Sequence, residues 1–135
     1  GVRYYNDSIA SSPSRTTAGL RSFPEKVILI AGGYDKHIPF DALGGEIVEH
    51  VKLLVLCGAT AAKIRTAVEN AEGYQPGHPE IVEVMPFQKA VETARDRAVP
   101  GDVVTLSPAC AAFDQFKNFA ERGKTFKAIV DGWQE

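Results

Sequence analysis

Short strand-forming runs alternate with segments of helical period along this whole chain, and few architectures accept that alternation. KVILIAGG (Lys26 to Gly33) is the clearest run. Five consecutive apolar residues without a polar alternate fit a strand covered on both faces. KLLVLCG (Lys52 to Gly58) and DVVTL (Asp102 to Leu106) repeat the theme. VRYYND (Val2 to Asp7) is rich in valine and tyrosine, and IVEVM (Ile81 to Met85) alternates as a half-buried strand does. Between them lie a short helix from Arg15 to Phe23, a helix from Asp41 to Val51 with Asp41 as its N-cap, and AAKIRTAVENA capped by Thr60. Ala61, Ile64, Val68 and Ala71 repeat there at helical spacing. FQKAVETARDRAV is amphipathic. KTFKAIVDGW carries Phe126, Ile129, Val130 and Trp133 at i, i+3, i+4 and i+7. The order βα, repeated five times, predicts an α/β fold: a mainly parallel sheet of five to six strands with helices on both faces.

At 135 residues and a formal net charge of -2, a single domain is expected. Nothing electrostatic argues for nucleic acid or an anionic membrane as partner. Apolar runs such as Val27 to Ala31 are far too short to span a bilayer, and no signal-peptide pattern opens the chain. A cytoplasmic protein is expected. Cys57 and Cys110 form no CxxC pair, which fits reduced thiols. The three histidines show neither H-x-x-H nor HExxH spacing, so no metal site is expected. Starting with Gly1 just ahead of a strand, the chain reads as one domain of a longer protein.

In such a sheet, ligands bind outside the carboxyl ends of the strands. Those ends are Asp7 to Ser12, Gly32 to His37, Cys57 to Thr60, Pro86, and Ser107 to Ala112. Lys36 follows the most buried strand beside two glycines; it reads either as a solvated loop lysine or as the partner of a carboxylate or phosphate, with Asp35 available to orient it. Asp7 reads as an Asx-turn or capping residue as readily as a functional one, and Ser11 as a turn residue. Arg15 fits a surface position in a first helical turn. Cys110 has no histidine at a spacing that argues for a nucleophile, and reads as a half-buried thiol.

SPACAAFDQFKNFAERG (Ser107 to Gly123) follows a strand with small residues and is expected to open a helix. Exposed N–H groups at a helix start make an anion site. Phe113, Phe116 and Ala120 would share a core-facing side, Phe119 would stand at its margin, and Asp114 would favour the first turn. Gly123-Lys124-Thr125 imitates the end of a phosphate loop. Asn118 stands where that motif needs glycine, so Gly123 is expected to close one helix at C′ and Lys124 to start the next.

These residues resemble a known family. SPACAAFDQFKNFAERG is similar to the C-terminal motif of the D-glutamate-adding Mur ligases, the UDP-N-acetylmuramoyl-L-alanine:D-glutamate ligases. NDSIASSP with the following RT, and LIAGGYDKHIPF, are similar to that family's two earlier motifs, in the same order. The resemblance runs from Val2 to about Phe126. It implies the third, Rossmann-like domain of a three-domain enzyme of peptidoglycan synthesis. The absent N-terminal domain would hold the UDP moiety, and the absent central domain the phosphate loop, Mg2+ and most of the ATP.

Carried over by motif position, Lys36 would pair with a D-glutamate carboxylate and Ser11 would offer a hydroxyl. Ala112 and Phe113 would offer backbone N–H groups, and Phe119 would flank the amino acid. Asp7 would reach the ATP ribose on domain closure. No catalytic residue is expected within this domain, which alone should be inactive. Two positions depart from the family: Ile9 stands where many members have lysine, and Ala112 where many have serine. The alternative from another class is a stand-alone Rossmann-like module binding a small anion or nucleotide without catalysis. Another ligase of the same superfamily would rest on fold alone.

Overall fold

β2 (Val27–Ala31) runs through the middle of the molecule with all five residues buried. A computed structural model describes residues 1–133 of the chain. β2 is the central strand of a five-stranded sheet that also contains β1 (Arg3–Asn6), β3 (Val51–Leu56), β4 (Glu80–Glu83) and β5 (Val103–Leu106). The order across the sheet is β1-β5-β2-β3-β4, and every neighbouring pair is parallel. The expected parallel α/β architecture is therefore present, with five strands.

Parallel strands need crossover helices, which here cover both faces. On one face, α1 (Pro13–Arg21), α2 (Asp41–His50) and α3 (Ala61–Glu69) bring Leu20, Leu43, Ile47, Ile64 and Val68 against Val27, Leu29 and Ala31. On the other, α4 (Phe87–Arg97) and α5 (Phe119–Asp131) bring Phe87, Ala90, Val91, Phe126 and Val130 against Ile28 and Ile30. Alternate residues of β2 thus feed two separate cores, which is why the strand shows no polar alternate. In β3 the register shifts between the partners of Val27 and Ile28. Lys52 is displaced at that shift, exposed, and pairs with Asp102.

Three local expectations fail for identifiable reasons. Asp41 is the first residue of α2 rather than its cap; Phe40 occupies the cap position. Thr60 precedes α3 as expected but makes no side-chain cap bond, because its hydroxyl is used elsewhere. The largest difference lies after β5. Ser107 to Asn118 is a loop, not a helix, and one continuous helix runs from Phe119 to Asp131. Asn118 starts that helix by accepting the Glu121 N–H at 2.9 Å.

Gly123 therefore lies inside α5 and closes no helix. A Cβ there would stand 3.2 Å from both Asn6 side-chain polar atoms and from Ser8 Cβ, so glycine lets α5 approach the end of β1. Asn6 Nδ2 donates to the Gly123 carbonyl at 3.0 Å across that approach. The Gly-Lys-Thr string is mid-helix, with no loop to wrap a phosphate. No described helix is long and apolar enough to cross a membrane.

Candidate functional site

The carboxyl ends of β1, β5 and β2 lie side by side, and their loops are tied to one another. Gly32 N–H donates to Pro108 O at 2.9 Å and Tyr34 N–H to Ala111 O at 2.8 Å, linking the β2 and β5 loops. Gly33 sits at this crossing; a Cβ would fall 2.5 Å from Ala111 O, so only glycine fits. Gly33 N–H donates to the buried Thr60 hydroxyl at 3.0 Å, which draws in the loop after β3. Ala109 N–H donates to Ala10 O at 3.0 Å, joining the β1 and β5 loops.

The centre of this assembly is Arg122, only 2% exposed. It donates from Nε to Ser8 Oγ at 3.0 Å, from Nη2 to Ser8 O at 2.8 Å, and from Nη1 to Cys110 O at 2.9 Å. Ser8 Oγ in turn donates to Phe119 O at 2.7 Å. Burial lowers the guanidinium pKa to about 10, which leaves it charged at neutral pH, so these bonds are charge-assisted. Sequence reasoning missed Arg122. Its signal was spacing: Arg122, Phe126 and Val130 recur every four residues, and all three are buried.

Above the tied loops lies a cavity of about 410 Å³ lined by Ile9, Ser11, Ser12, Arg15, Lys36 and Phe119. Three of the residues selected from sequence, Lys36, Ser11 and Phe119, share this one space, although they come from two separate loops and the start of α5. Among the described residues, no carboxylate lines it. Phe119, 45% exposed, opens α5 and presents its ring as a wall. Asp35 does not orient Lys36. It pairs with Lys63 and accepts the His37 N–H at 2.8 Å; the Lys63 ammonium first, then that N–H, hold its carboxyl below the usual range.

Ala112 and Phe113 behave differently. Neither lines the cavity, and their N–H groups lie in a turn rather than at a helix start. Among the described residues, neither N–H donates to a hydrogen bond; Ala112 itself is buried. The turn is closed by Phe116 N–H to Ala112 O at 2.8 Å. Asp114 is used to accept the Ala59 N–H at 3.1 Å, ahead of α3. Phe113 is not core; it is 64% exposed and stands edge-on to Tyr34 at 5.8 Å. Ala120 is exposed as well. Phe116 alone of that trio packs inward, edge-on to Phe87 at 5.0 Å.

Asp7 lies half-buried at the end of β1. Its Oδ2 accepts from Ser107 Oγ at 2.8 Å, and Ser107 is itself bonded to Thr16 at 3.1 Å. A Cβ at Gly19 would come within 2.9 Å of the same oxygen, so α1 passes close over the carboxylate.

Cys110 Sγ lies 3.2 Å from Thr60 Oγ1, and no histidine activates it. Burial raises both thiols, Cys57 and Cys110, to about 11. At pH 8 such a thiol is about 0.1% ionised, against roughly 20% for an ordinary cysteine. Since the thiolate is the nucleophile, both should react with iodoacetamide on the order of 100-fold more slowly than free cysteine. A mass-spectrometric time course on the folded protein checks this; a rate within tenfold of free cysteine would contradict it.

Among the described residues, Glu46, Glu49 and His50 bring ligand atoms within 4.8 Å of one another. They sit on the opposite edge, at the end of α2, and Arg21 already holds Glu46 with bonds of 2.9 and 2.8 Å.

Comparison with known proteins gives the family. The family model described as "Mur ligase, glutamate ligase domain" matches residues 1–110. Two proteins named UDP-N-acetylmuramoylalanine–D-glutamate ligase are similar to the chain over 131 residues. That from Clostridium botulinum (strain Okra / Type B1) is 56% identical, and that from Clostridium kluyveri (strain NBRC 12016) 57%. These alignments cover 97% of this chain but 29% of each relative, so the chain spans under a third of the proteins it matches. A crystal structure of a ligase domain from Haemophilus ducreyi 35000HP superposes with a TM-score of 0.52, covering 88% of this chain and 85% of that one. At 14% identity, that likeness concerns the fold alone. Sequence, family model and fold agree, and the chain belongs to the family of Mur ligase glutamate ligase domains.

Proposed function

We propose that this chain is the C-terminal domain of an ATP-dependent, ADP-forming ligase that adds D-glutamate to UDP-N-acetylmuramoyl-L-alanine in peptidoglycan synthesis. Its own task is to hold D-glutamate and to close over the nucleotide. The observation that carries this reading is the meeting of Lys36, Ser11 and Phe119 in one acid-free cavity at the carboxyl edge of the sheet. The names of the Clostridium relatives support it.

In that reaction ATP phosphorylates the muramoyl-alanine carboxylate, releasing ADP. The D-glutamate amine attacks the acyl phosphate, and the tetrahedral intermediate collapses to the amide and phosphate. This chain contributes binding and orientation. Lys36 would take a carboxylate by a charge-assisted contact and Ser11 would donate its hydroxyl. Phe119 would limit the side of the amino acid, and the Ala112 and Phe113 N–H groups would be offered to it as the family motif implies. Holding the amine's owner by its other groups leaves the amine itself unpaired and aimed outward.

The chain's donors do not fit a triphosphate or Mg2+. Its Gly-Lys-Thr string is helical, so ATP and Mg2+ would be held mainly by the absent central domain. Asp7, with Oδ2 committed to Ser107, would offer Oδ1 to the ATP ribose on closure. The isolated domain should turn over no ATP.

Calorimetric or NMR titration of the chain with D- and L-glutamate tests the reading. Millimolar affinity (about -4 kcal/mol) with preference for the D-isomer is expected, because the site is completed only on closure. Absence of D-preference even after the other two domains are restored would sink the proposal.

A further inference from the structure

Among the described residues, the arginines have partners, with one exception. Arg3, Arg21, Arg65, Arg95 and Arg97 each face a carboxylate, and Arg122 faces buried carbonyl and hydroxyl oxygens. Among the described residues Arg15 alone has neither. It is exposed and lines the cavity that also holds Lys36. It occupies the first turn of α1, after Ser12 and Pro13, and that turn contains no acidic residue.

A cation at this position opposes the positive end of the helix dipole and destabilises the helix unless an anion offsets it. No side chain of the cavity supplies one. Ser12 makes no side-chain cap bond to the helix; its hydroxyl lies 3.4 Å from that of Ser14. The local charge is therefore arranged for an external anion. Two cations and no acid around one small cavity suit a ligand carrying two separate negative groups.

We propose that Arg15 is the second cation of the amino-acid pocket, and that Arg15 and Lys36 each take one of the two carboxylates of D-glutamate. The assignment rests on the D-glutamate reading given above and deepens it. Arg15's planar fork can grip a carboxylate through two parallel N–H bonds, whereas Lys36 acts as a point charge. Specificity for a dicarboxylic amino acid then resides in the start of α1 and the loop after β2, which meet only in the folded domain. Ile9 fits the same division: it adds apolar wall and no competing charge.

The test uses D-glutamate beside two analogues with one carboxylate masked as an amide: D-glutamine at the side chain, and D-isoglutamine at the α-carboxylate. KM is measured for each in a full-length ligase carrying this chain, with NMR titration of the 135-residue chain as an independent readout. Arg15→Ala should raise the D-glutamate KM about tenfold without lowering the thermal midpoint of the unliganded protein. It should erase the penalty for masking one carboxylate only, and Lys36→Ala should erase the penalty for masking the other. Arg15→Lys should recover part of the affinity. If Arg15→Ala leaves D-glutamate unaffected, weakens all three amino acids equally, or erases the same penalty as Lys36→Ala, the inference is overturned while the D-glutamate reading stands. If the unmodified protein shows no D-glutamate binding by either readout, both fall.

Discussion

Arg122→Met should lower the stability of this domain by about 3–4 kcal/mol, seen as a drop of roughly 10 °C in the thermal midpoint. Methionine keeps most of the aliphatic stem, so little volume is lost. What disappears is the donor set. The carbonyls of Ser8 and Cys110 and the Ser8 hydroxyl lose bonds of 2.8 to 3.0 Å. Each sits where water has poor access, and an unsatisfied buried acceptor costs about 1–3 kcal/mol. Arg122→Lys keeps the charge, but one ammonium cannot span acceptors on two loops, so about half the loss should remain. Urea titration should show a lower midpoint at unchanged slope. A loss below about 1 kcal/mol for the methionine variant would mean that water replaces the guanidinium and that Arg122 does not hold the loops together.

Lys36→Ala should act in the opposite manner, with a large effect on ligand and almost none on fold. Lys36 is exposed and, among the described residues, makes no ion pair, so its removal should change stability by no more than about 0.5 kcal/mol. In the full-length ligase, the Michaelis constant for D-glutamate should rise roughly 10- to 100-fold, corresponding to about 1.5–3 kcal/mol for a charge-assisted contact. The turnover number should change little, because a carboxylate that takes no part in bond making is held alike in ground and transition states. An unchanged Michaelis constant would remove Lys36 from the role proposed for it. The pair of variants separates a residue that builds the site from one that uses it.

The contrast between these two residues mirrors how each became visible. Lys36 was legible in sequence because it follows a strand whose burial is unmistakable, and a residue just past such a strand must lie on the carboxyl edge. Arg122 was not, because an arginine in a helix is ordinarily solvated, and two of its three bonds go to Ser8, more than a hundred positions away. The loop from Ser107 to Asn118 misled for a related reason. Phe113, Phe116 and Ala120 have helical spacing, yet the segment's hydrogen bonds and packing partners come from Ala59 and Phe87. Long-range contacts outweighed local propensity there. Gly123, read locally, was a helix stop; in space it is the point where α5 passes over the end of β1.

The sequence by itself determined the alternation of strands and helices, the parallel sheet, and the edge on which any site must lie. Those follow from apolar periodicity and from the connections that parallel strands require. Only the tertiary structure decided that β5, the last strand, inserts between β1 and β2. That insertion brings the loop bearing Ser11, the first turn of α1 with Arg15, the loop bearing Lys36 and the start of α5 around one cavity. Strand order is set by which faces and edges pack best once all five strands are present, and no local stretch of chain carries that information.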